Sequence, residues 1–230
     1  MITVVIPTLN AEAGLPATMT ALVPAVVEGL VRQVIVVDGG SRDRTVDIAD
    51  HAGAEIAVVP GGGRGPQLAE GARLAKHPWL LFLHADSVLE DGWTREAAAF
   101  IDRVEAGERP LAAGAFRFAL DDLGLKPRLL EAGVSLRCAL FRLPYGDQGL
   151  LIPARLYNEI GGFKPMPLME DVDIIRRLGR RRTVIFRSPV VTSAIRYKRD
   201  GYASRIVRNL CCFTLYRLGV PLTTIQRLYG

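Results

Sequence analysis

The stretch Ile2-Thr3-Val4-Val5-Ile6-Pro7 is a continuous apolar run, and three more runs of this kind follow it. They are Gln33–Val37, Glu55–Val59 and Trp79–Leu83, and helix-like segments separate them. Continuous apolar runs are typical of strands buried on both faces, as in a parallel sheet covered by helices. The first half of the chain is therefore predicted to be an α/β doubly wound unit with a mostly parallel sheet.

The remaining segments are predicted to extend this sheet, with a soft boundary near residue 105. In the first half, helices are expected at Ala13–Leu30, Asp43–Ala52 and Gln67–Lys76. In the second half, strands are expected at Ala112–Leu120, in antiparallel or mixed pairing, and at Arg182–Phe186, and a turn with a short strand is expected at Tyr145–Pro153. Helices are expected there at Pro127–Phe141, Ala154–Ile160, Met169–Leu178, Ala203–Leu218 and Pro221–Leu228.

The composition is that of a globular protein with a modest positive charge. The 230 residues carry 29 Lys and Arg against 24 Asp and Glu, a net charge of +5, and 49% are apolar. Disordered chains have less apolar content and more net charge, and this length suits one domain. The charge permits an anionic ligand, but no nucleic-acid-binding pattern is present, so no nucleic-acid partner is expected.

The cysteines and the start of the chain indicate the compartment. Cys138, Cys211 and Cys212 have no framework spacing, which favours a reducing environment. No basic region precedes the first apolar run, and no run approaches the roughly 18 apolar residues that span a bilayer. We therefore expect a soluble, cytoplasmic protein.

Polar and glycine-rich segments follow each of the four predicted strands of the first half. Open α/β sheets bind ligands beyond the carboxyl ends of their strands, so these segments are the candidate site. Asp38 and Asp86 could instead be ordinary turn and cap residues. The four segments are Pro7, Thr8, Asn10 and Glu12; Asp38, Gly39, Gly40 and Ser41; Gly61–Gly65; and His84, Ala85 and Asp86.

The Gly61–Gly65 loop does not match the two common nucleotide-binding templates. Pro66 and Leu68 occupy positions where GxGxxG needs glycine, and no Gly-Lys-Ser/Thr occurs. A Rossmann dehydrogenase and a P-loop NTPase are therefore not supported. The loop is either a flexible surface loop or a backbone that approaches a phosphate or base, with Arg64 as its anion or stacking partner; we favour the second.

Two acidic positions could hold a divalent metal. One is Asp86 after the fourth strand, and the other is Asp171-Val172-Asp173, of which only one acid is expected to face a site because the pair starts a helix. A strand-end carboxylate is better placed to hold Mg²⁺ or Mn²⁺ against a diphosphate. We assign the metal to Asp86, with His84 as an assisting ligand that would suit Mn²⁺ better.

Glu170-Asp171 follows an apolar stretch and is a candidate for acid–base chemistry. Acids in the first turn of a helix favour its dipole, which would explain one of the two. Asp171 is predicted to be a general base. The turn Gly146-Asp147-Gln148-Gly149 is either an ordinary turn or a contact to an acceptor.

The predicted helix Ala203–Leu218 is amphipathic and basic. Its residues Arg205, Arg208 and Arg217 form either a solvated face or a peripheral membrane contact.

Three segments together make the chain similar to the family 2 glycosyltransferases of the GT-A fold. Val4–Asn10 followed by Val36–Asp43 resembles the VIIPxxN strand and VDDGSxD turn of that family, Leu81–Asp86 resembles its FLDADD strand, and Gly161-Gly162-Phe163 with Glu170-Asp171 resembles its GGF…ED signature. The resemblance covers about residues 2–180. The runs Gly146–Gly149 and Pro167–Asp171 suit the bacterial radical-SAM/selenodomain-associated, arsenosugar-type transferase subgroup.

This resemblance implies a metal-dependent inverting transferase that uses a nucleotide-diphospho-sugar, most simply a UDP-sugar. Residues 1–105 would bind the donor, and residues 106–230 would form the acceptor side of the same domain. His84 stands where the family has the first acid of its DxD motif, and Gly39 where it has the second acid of DDGS. The implied roles are donor binding by Pro7, Thr8, Asn10, Glu12, Asp38, Arg64, Gly65, Ala85 and Asp86; metal binding by Asp86 and His84; acceptor binding by Gly146, Asp147, Gln148 and Glu170; and proton abstraction by Asp171.

Two other functions remain open from the sequence. A sugar-phosphate nucleotidyltransferase would need a Gly-x-Gly-Thr-Arg loop and a lysine directly after the first strand, and Thr8–Glu12 has neither. A non-catalytic nucleotide-binding protein is suggested by His84 in the metal motif. The segment Thr192–Tyr197 is faintly similar to a QxxRW motif without its glutamine, so we expect a non-processive enzyme acting on a small or lipid-linked acceptor.

Overall fold

Eight strands form one sheet in the computed structural model, which describes residues 1–61 and 63–229. Gly62, in the predicted Gly61–Gly65 loop, and Gly230 lie outside the described residues. The strands are β1 (Ile2–Thr8), β2 (Val31–Asp38), β3 (Glu55–Val58), β4 (Trp79–Phe82), β5 (Ser87–Leu89), β6 (Ala113–Leu120), β7 (Leu150–Pro153) and β8 (Thr183–Thr192).

The strand order across the sheet is β3-β2-β1-β4-β7-β6-β8-β5. The first four strands are parallel to one another, and β6 is parallel to β8. Strand β7 is antiparallel to both of its neighbours, and β5 is antiparallel to β8. The prediction of an α/β fold with a mostly parallel sheet is therefore confirmed, and strands from both halves of the chain pair in this one sheet.

Ten α-helices lie within the described residues, and two short 3-10 helices cover Gly146–Gln148 and Arg180–Arg182. No helix in this part of the chain is long and apolar enough to cross a membrane. The helices are α1 (Leu15–Val27), α2 (Thr45–His51), α3 (Arg64–Leu74), α4 (Trp93–Glu105), α5 (Leu125–Phe141), α6 (Ala154–Glu159), α7 (Glu170–Leu178), α8 (Ile195–Asp200), α9 (Tyr202–Arg217) and α10 (Leu222–Tyr229).

Successive residues of β1 enter two different cores, which explains its continuous apolar run. Ile2, Val4 and Ile6 pack with α1 and α4 on one face of the sheet, whereas Val5 packs with α3 and α7 on the other. Because side chains alternate across a strand, a sheet covered on both faces needs apolar residues at every position.

The antiparallel direction of β7 brings its beginning to the edge where the parallel strands end. Leu150 of β7 pairs with Phe82 of β4. The 3-10 turn Gly146–Gln148 therefore lies beside the residues that follow β4. A turn between two elements of the second half thus reaches the same edge as the strand ends of the first half.

Three elements, β5, α4 and α8, were not predicted, and one strand was predicted too short. β5 and α4 fill the region between β4 and β6, although Trp93, Ala97, Phe100, Ile101 and Val104 follow a helical period. Strand β8 continues past Phe186 to Thr192, and its register with β6 shifts between Ala115 and Arg117, where Arg117 pairs with Pro189. The irregularity accommodates a proline that sequence rules exclude from a regular strand.

Candidate active site

A cavity of about 170 Å³ opens where β4 ends, β7 begins and β8 ends. The three elements carry polar residues to this point because their relevant ends share one edge of the sheet. Helices α3, α7, α8, α9 and α10 supply the remaining walls. The cavity is lined by Arg64, His84, Asp86, Tyr145, Asp147, Leu168, Met169, Asp171, Val172, Thr192, Ser193, Arg196, Tyr197, Arg205, Asn209, Phe213 and Tyr229.

Asp171 lies in the first turn of α7 with its carboxylate held from two sides. Its Oδ2 accepts a hydrogen bond from the Gly146 amide at 2.9 Å, and its Oδ1 accepts one from the Val172 amide at 2.8 Å. A Cβ on Gly146 would lie 2.8 Å from His84 Nε2 and 3.2 Å from Asp171 Oδ2, so the close approach requires glycine. Asp173 instead pairs with Lys164 and Arg177. Of Asp171 and Asp173, Asp171 faces the cavity and Asp173 does not, as the helical spacing predicts.

Glu170 is buried behind the cavity and holds Arg64. Its side chain is only 1% exposed, and its Oε1 lies 2.9 Å from Arg64 Nε. Its Oε2 is buried without a hydrogen-bond partner among the described residues and borders a small second cavity beside Asp171, so the contact of Glu170 to an acceptor stays a prediction. Burial raises the pKa of the Glu170 carboxyl above its usual value, and Arg64 opposes that rise. The carboxylate fixes the guanidinium at the cavity wall.

His84 accepts a hydrogen bond from the same arginine. Its Nε2 lies 3.2 Å from Arg64 Nη1, and a guanidinium can only donate, so Nε2 carries the lone pair and Nδ1 the proton. Burial, Arg64 and Arg196 lower the pKa of His84 to about 3, which keeps the imidazole neutral. The expected metal ligation by His84 does not fit this arrangement, since its lone pair is occupied by Arg64.

Asp86 is the residue here that fits a divalent ion. It is half-buried and lines the cavity, as a carboxylate ligand for Mg²⁺ or Mn²⁺ must. Within residues 1–61 and 63–229, no three His, Cys, Asp or Glu side chains are grouped so that they could hold one ion. Such ions are often bound by one or two carboxylates together with substrate phosphates and water, and Asp86 suits this kind of site.

Two buried oxygen atoms in the cavity lack a protein partner in the described part of the chain. They are Asp147 Oδ1 and Asn209 Oδ1. Burial, with Asp171 nearby, raises the pKa of Asp147 to about 6 although Arg137 and Arg64 oppose the rise. Buried polar atoms are almost always hydrogen-bonded, so these two oxygens are candidates for binding the donor groups of a ligand.

Asp147→Asn is expected to stabilise the free protein at pH 7.5 and to have little effect near pH 4. A carboxyl whose pKa is raised by folding prefers its proton in the folded state, so its contribution to stability is lost as pH rises through about 6. The gain at pH 7.5 should be at most about 3 kcal/mol, and chemical denaturation at both pH values would measure it. Asp173→Asn is the control of opposite sign, because hydrogen bonds from Arg177 and Lys164 outweigh burial and lower the pKa of Asp173. An equal effect of Asp147→Asn at both pH values would contradict the prediction.

Asp38 organises the turn after β2. Its two carboxylate oxygens accept hydrogen bonds from Thr8 Oγ1 (3.0 Å), Ser41 Oγ (2.5 Å) and the Gly40 and Ser41 amides (2.8 and 2.7 Å). Burial would raise the pKa of Asp38, but these hydrogen bonds outweigh it and lower the pKa. A carboxylate has about four lone-pair sites, so these four donors fill them. The residue is 2% exposed and does not point into the cavity.

Hydrogen bonds connect the turn after β1 to the turn after β2. The Asn10 backbone amide donates to Ser41 Oγ (2.8 Å), and its side-chain Oδ1 accepts from the Arg42 backbone amide (2.9 Å). In the same way, the Glu12 backbone amide donates to Asp43 Oδ2 and the Glu12 side-chain Oε2 accepts from the Arg44 backbone amide, at 3.1 Å each. Both side chains are exposed, whereas Pro7 and Thr8 are buried in β1. The two hydrogen-bonded turns, residues 9–12 and 39–44, together form a surface that is called the ledge below.

Gln67 is a positioning residue that belongs to no motif in the sequence. Its amide nitrogen donates to the Thr8 carbonyl at 2.8 Å and to the Val37 carbonyl at 2.9 Å, which ties α3 to the ends of β1 and β2. A Cβ on Gly39 would lie 3.0 Å from this nitrogen. The glycine that replaces the second acid of the family's turn thus makes room for Gln67.

Gly63 and Gly65 lie very close to the backbone of residues 164–167. A Cβ on Gly65 would lie 2.5 Å from the carbonyl oxygens of Lys164 and Met166, and one on Gly63 would lie 2.8 Å from Pro167 Cα. The glycine-rich pattern predicts a phosphate or base as the approached group. Packing against residues 164–167 accounts for both glycines and places Arg64 between that segment and His84.

Gln148 and Ala85 also have structural contacts where ligand contacts were expected. Gln148 is 1% exposed and donates to the Phe116 carbonyl at 2.9 Å, while its Oε1 accepts from Arg137. This burial removes Gln148 from the reach of an acceptor. The Ala85 carbonyl accepts from Thr18 at 2.9 Å.

Arg205 belongs to the cavity wall rather than to a solvated face. It is 6% exposed, and it donates to Asp200 Oδ2 and to the Tyr229 hydroxyl. Arg208 also pairs with Asp200, at 2.6 Å, which leaves Arg217 as the exposed member of the predicted basic face. The contributions of Asn209, Phe213 and Tyr229 to the cavity had no motif in the sequence, because they depend on how α9 and α10 fold back.

Strain and acids converge on this edge of the sheet. Among the described residues, three non-glycine residues have positive φ angles, and two of them, Asn10 and Met169, border the site. Such backbone strain is concentrated at functional sites. Asp86 and Asp171 line the same cavity, whereas Asp38 lies outside it at the end of β2, which β1 separates from β4.

Comparisons with known proteins agree with this fold. A family model described as Glycosyl transferase family 2 matches residues 3–159. A "PGL/p-HBAD biosynthesis glycosyltransferase" of Mycobacterium bovis is 32% identical over 163 residues, which cover 61% of this chain and 60% of the relative. The chain therefore spans about 60% of the length of this curated relative.

Solved structures share the fold over nearly the whole chain. TarS of S. aureus in complex with UDP has a TM-score of 0.63 at 15% identity, covering 99% of this chain and 69% of TarS. Glucosyl-3-phosphoglycerate synthase of Mycobacterium tuberculosis, in complex with Mn²⁺, UDP and glucosyl-3-phosphoglycerate, has a TM-score of 0.62 at 23% identity, covering 96% and 81%. The fold is GT-A, as expected, and because the family model matches more than half of its residues the chain belongs to glycosyl transferase family 2.

Proposed function

We propose that the chain transfers a sugar from a nucleoside-diphosphate sugar to a hydroxyl group of an acceptor, with inversion at the sugar carbon. The observation that carries this proposal is that Asp86 and Asp171 line one cavity together with Arg64 and Arg196. Cationic groups and a carboxylate base are what a departing diphosphate and an incoming hydroxyl require. The complexes of TarS and of glucosyl-3-phosphoglycerate synthase with UDP support a uridine donor.

The proposed reaction is one displacement. The acceptor hydroxyl loses its proton to Asp171, its oxygen forms a bond to the sugar C1, and the bond from C1 to the diphosphate oxygen breaks. The electron pair leaves with the nucleoside diphosphate, whose charge Arg64 and Arg196 stabilise. The hydrogen bond from the Gly146 amide orients the Asp171 carboxylate for this role.

The donor would lie along the ledge formed by the turns after β1 and β2, with its diphosphate toward Asp86 and Arg64. Asp38, with its lone pairs already filled, would shape this ledge, and Thr8, Asn10 and the backbone of the turns would contact the nucleoside. A divalent ion held by Asp86 would supply positive charge against the diphosphate. His84 stands where the family's metal motif has an acid. The positive charge of Arg64, which His84 positions, would compensate for this missing metal ligand.

The acceptor would occupy the part of the cavity walled by α8, α9 and α10. The aromatic side chains Tyr145, Tyr197, Phe213 and Tyr229 surround this part, and Asp147 and Asn209 each present an unpartnered oxygen. Aromatic faces and hydrogen-bond acceptors together suit a hydroxylated molecule. We propose a small acceptor or a lipid-linked one, and we retain the placement in the arsenosugar-type subgroup as part of this proposal.

Nucleotide binding tests the donor assignment directly. UDP with Mn²⁺ at about 100 times its dissociation constant should raise the melting temperature by roughly 5–10 °C, and GDP and dTDP should raise it less. Asp86→Asn should lose the additional affinity that Mn²⁺ confers in calorimetry while it keeps the metal-free affinity. Glu90→Gln, an exposed acid nearby on the chain, is the control. If no nucleoside diphosphate shifts the melting temperature, the proposed function is wrong.

Turnover separates the proposal from its two alternatives. Release of UDP from a UDP-sugar in the presence of Mn²⁺ supports a transferase. Release of pyrophosphate from a nucleoside triphosphate and a sugar phosphate would identify a nucleotidyltransferase. Retained binding without any turnover across donors would identify a non-catalytic binding protein.

A further inference from the structure

Helix α5 carries apolar side chains on its solvent face as well as on its core face. The core face packs Val134 and Cys138 against Phe118 and Leu120 of β6. On the outer face, the α5 stripe consists of Leu125, Leu129, Leu136 and Leu140, which are 74%, 63%, 60% and 51% exposed. Their spacing of four, seven and four residues is that of one side of a helix. No packing within the protein explains this stripe.

Helix α9 repeats the pattern. Its inner face supplies Arg205, Asn209 and Phe213 to the cavity. Its outer face, the α9 stripe, consists of Ala203, Val207, Leu210 and Thr214, all exposed, with Val207 and Leu210 at 59% and 62%. Leu218, directly after the helix, is 75% exposed on the same helical period.

Contacts at two places link the two helices through residues that lie beside them. At their beginnings, the Tyr202 hydroxyl donates to Asp122 Oδ2 at 2.7 Å. Farther along, the Arg137 guanidinium lies 4.0 Å from the centre of the Tyr145 ring, which in turn lies 6.1 Å from the Phe213 ring. The α5 and α9 stripes are therefore carried by elements that are linked in the structure, and each stripe exposes large apolar side chains, a feature that marks interaction sites.

The charges around this surface indicate the partner. The segment 201–229 contains four arginines and no aspartate or glutamate. The single acid within α5, Glu131, is buried and bonded to Arg128 and to the Leu120 amide. Exposed basic residues on or beside these helices are Lys126, Arg128, Arg142, Arg217 and Arg227, and an exposed acid, Asp121, precedes α5.

We propose that the α5 and α9 stripes rest on the surface of a bilayer that contains anionic lipid. Exposed leucines flanked by basic residues are the features by which helices lie in a membrane interface, with the apolar side chains among the acyl chains and the basic groups at the headgroups. A second copy of this chain is a poorer partner, since it would bring like charges together. Because α9 also walls the cavity, docking places the cavity at the membrane. This surface does not depend on the proposed function.

Co-sedimentation with vesicles tests the proposal. The full chain should sediment with vesicles of phosphatidylglycerol and phosphatidylcholine in about equal amounts, and much less with phosphatidylcholine alone or at high salt. The variant L129S/L136S/L210S should lose about tenfold or more of its partitioning. The matched control is V23S/V27S, which removes two valines of α1 that are 53% and 81% exposed, and it should partition like the wild type.

Folding and self-association are checked on the same samples. Circular dichroism and the melting temperature should be unchanged in both variants, and light scattering should give the same mass as the wild type. Binding of the leucine variant equal to that of the wild type, or no sedimentation of the wild type with anionic vesicles, would overturn the proposal. A wild-type dimer that the leucine substitutions dissociate, without vesicle binding, would identify the face as a contact between copies.

Discussion

Asp171→Asn is expected to lower kcat by about 10²–10⁴-fold while the affinity for UDP remains that of the wild type. The Asn oxygen can still accept the hydrogen bond from the Gly146 amide, and the bond from the Val172 amide is lost because an NH₂ group takes the place of the second oxygen. The side chain of this variant cannot take a proton from the acceptor. The measurement is release of UDP in a transfer assay, together with calorimetry of UDP binding. Unaltered turnover in this variant would exclude Asp171 as the base.

Asp173→Asn is the matched control for this experiment. The residue lies in the same turn of α7, but its carboxylate pairs with Lys164 and Arg177 on the side away from the cavity. This variant should keep the wild-type kcat and lose some stability, because two basic side chains lose their ionised partner. A loss of turnover equal to that of the Asp171 variant would mean that the helix, rather than one carboxylate, matters.

Arg64→Gln is expected to lower kcat/KM by about 10²–10³-fold, the size of effect seen when one charge-stabilising donor is removed. Arg64 is pre-oriented, since its Nε is held by Glu170 and its Nη1 lies on His84, so it needs no rearrangement when the diphosphate leaves. Arg64→Lys should recover part of the loss, because lysine keeps the charge but cannot span both partners.

Two controls distinguish this role from a structural one. Arg73→Gln changes an exposed arginine of the same helix, which pairs with Glu70, and should leave kcat/KM unchanged. Glu170→Gln keeps Arg64 but loosens its anchor, so it should lower kcat more than it raises KM. If Arg64→Gln turns over as fast as the wild type at saturating donor, the diphosphate charge is stabilised elsewhere.

The stability and activity predictions on Asp147 belong together. A carboxyl that is buried with one unpartnered oxygen destabilises the folded protein at neutral pH. Natural proteins retain such groups where function requires them, so stabilisation by Asp147→Asn should accompany weaker acceptor binding. The two effects are measured separately, by denaturation of the free protein and by the KM for the acceptor.

The local sequence was sufficient for the first half of the sheet. The apolar runs from Ile2, Gln33, Glu55 and Trp79 predicted β1 to β4, because strands buried on both faces have a strong and local signal. The strand-end residues followed from the same argument, and Asp86 and Asp171 do line one cavity. The missed helix α4 also had a local signal, in the helical period of its apolar residues from Trp93 to Val104.

Contacts between distant residues decided the roles of individual side chains. Glu170, Gln148 and Asp38 read as polar and available, but each is at most 2% exposed and engaged with a residue of another element or turn. Gly65 read as a loop glycine, yet it packs against residues a hundred positions away. The spacing of residues in the sequence cannot reveal these contacts, because it does not determine which distant group hydrogen-bonds to a given polar side chain or packs against a given glycine.

What the sequence by itself determined was the sheet, its edge and the kinds of side chain that collect there, since these depend on hydrophobic period and strand direction. Only the tertiary structure decided which of those side chains remain available to a ligand. The antiparallel entry of β7 brings Gly146 to Asp171, and the return of α9 and α10 closes the cavity with Asn209 and Tyr229. These arrangements arise from packing between elements far apart in the chain, and no local pattern encodes them.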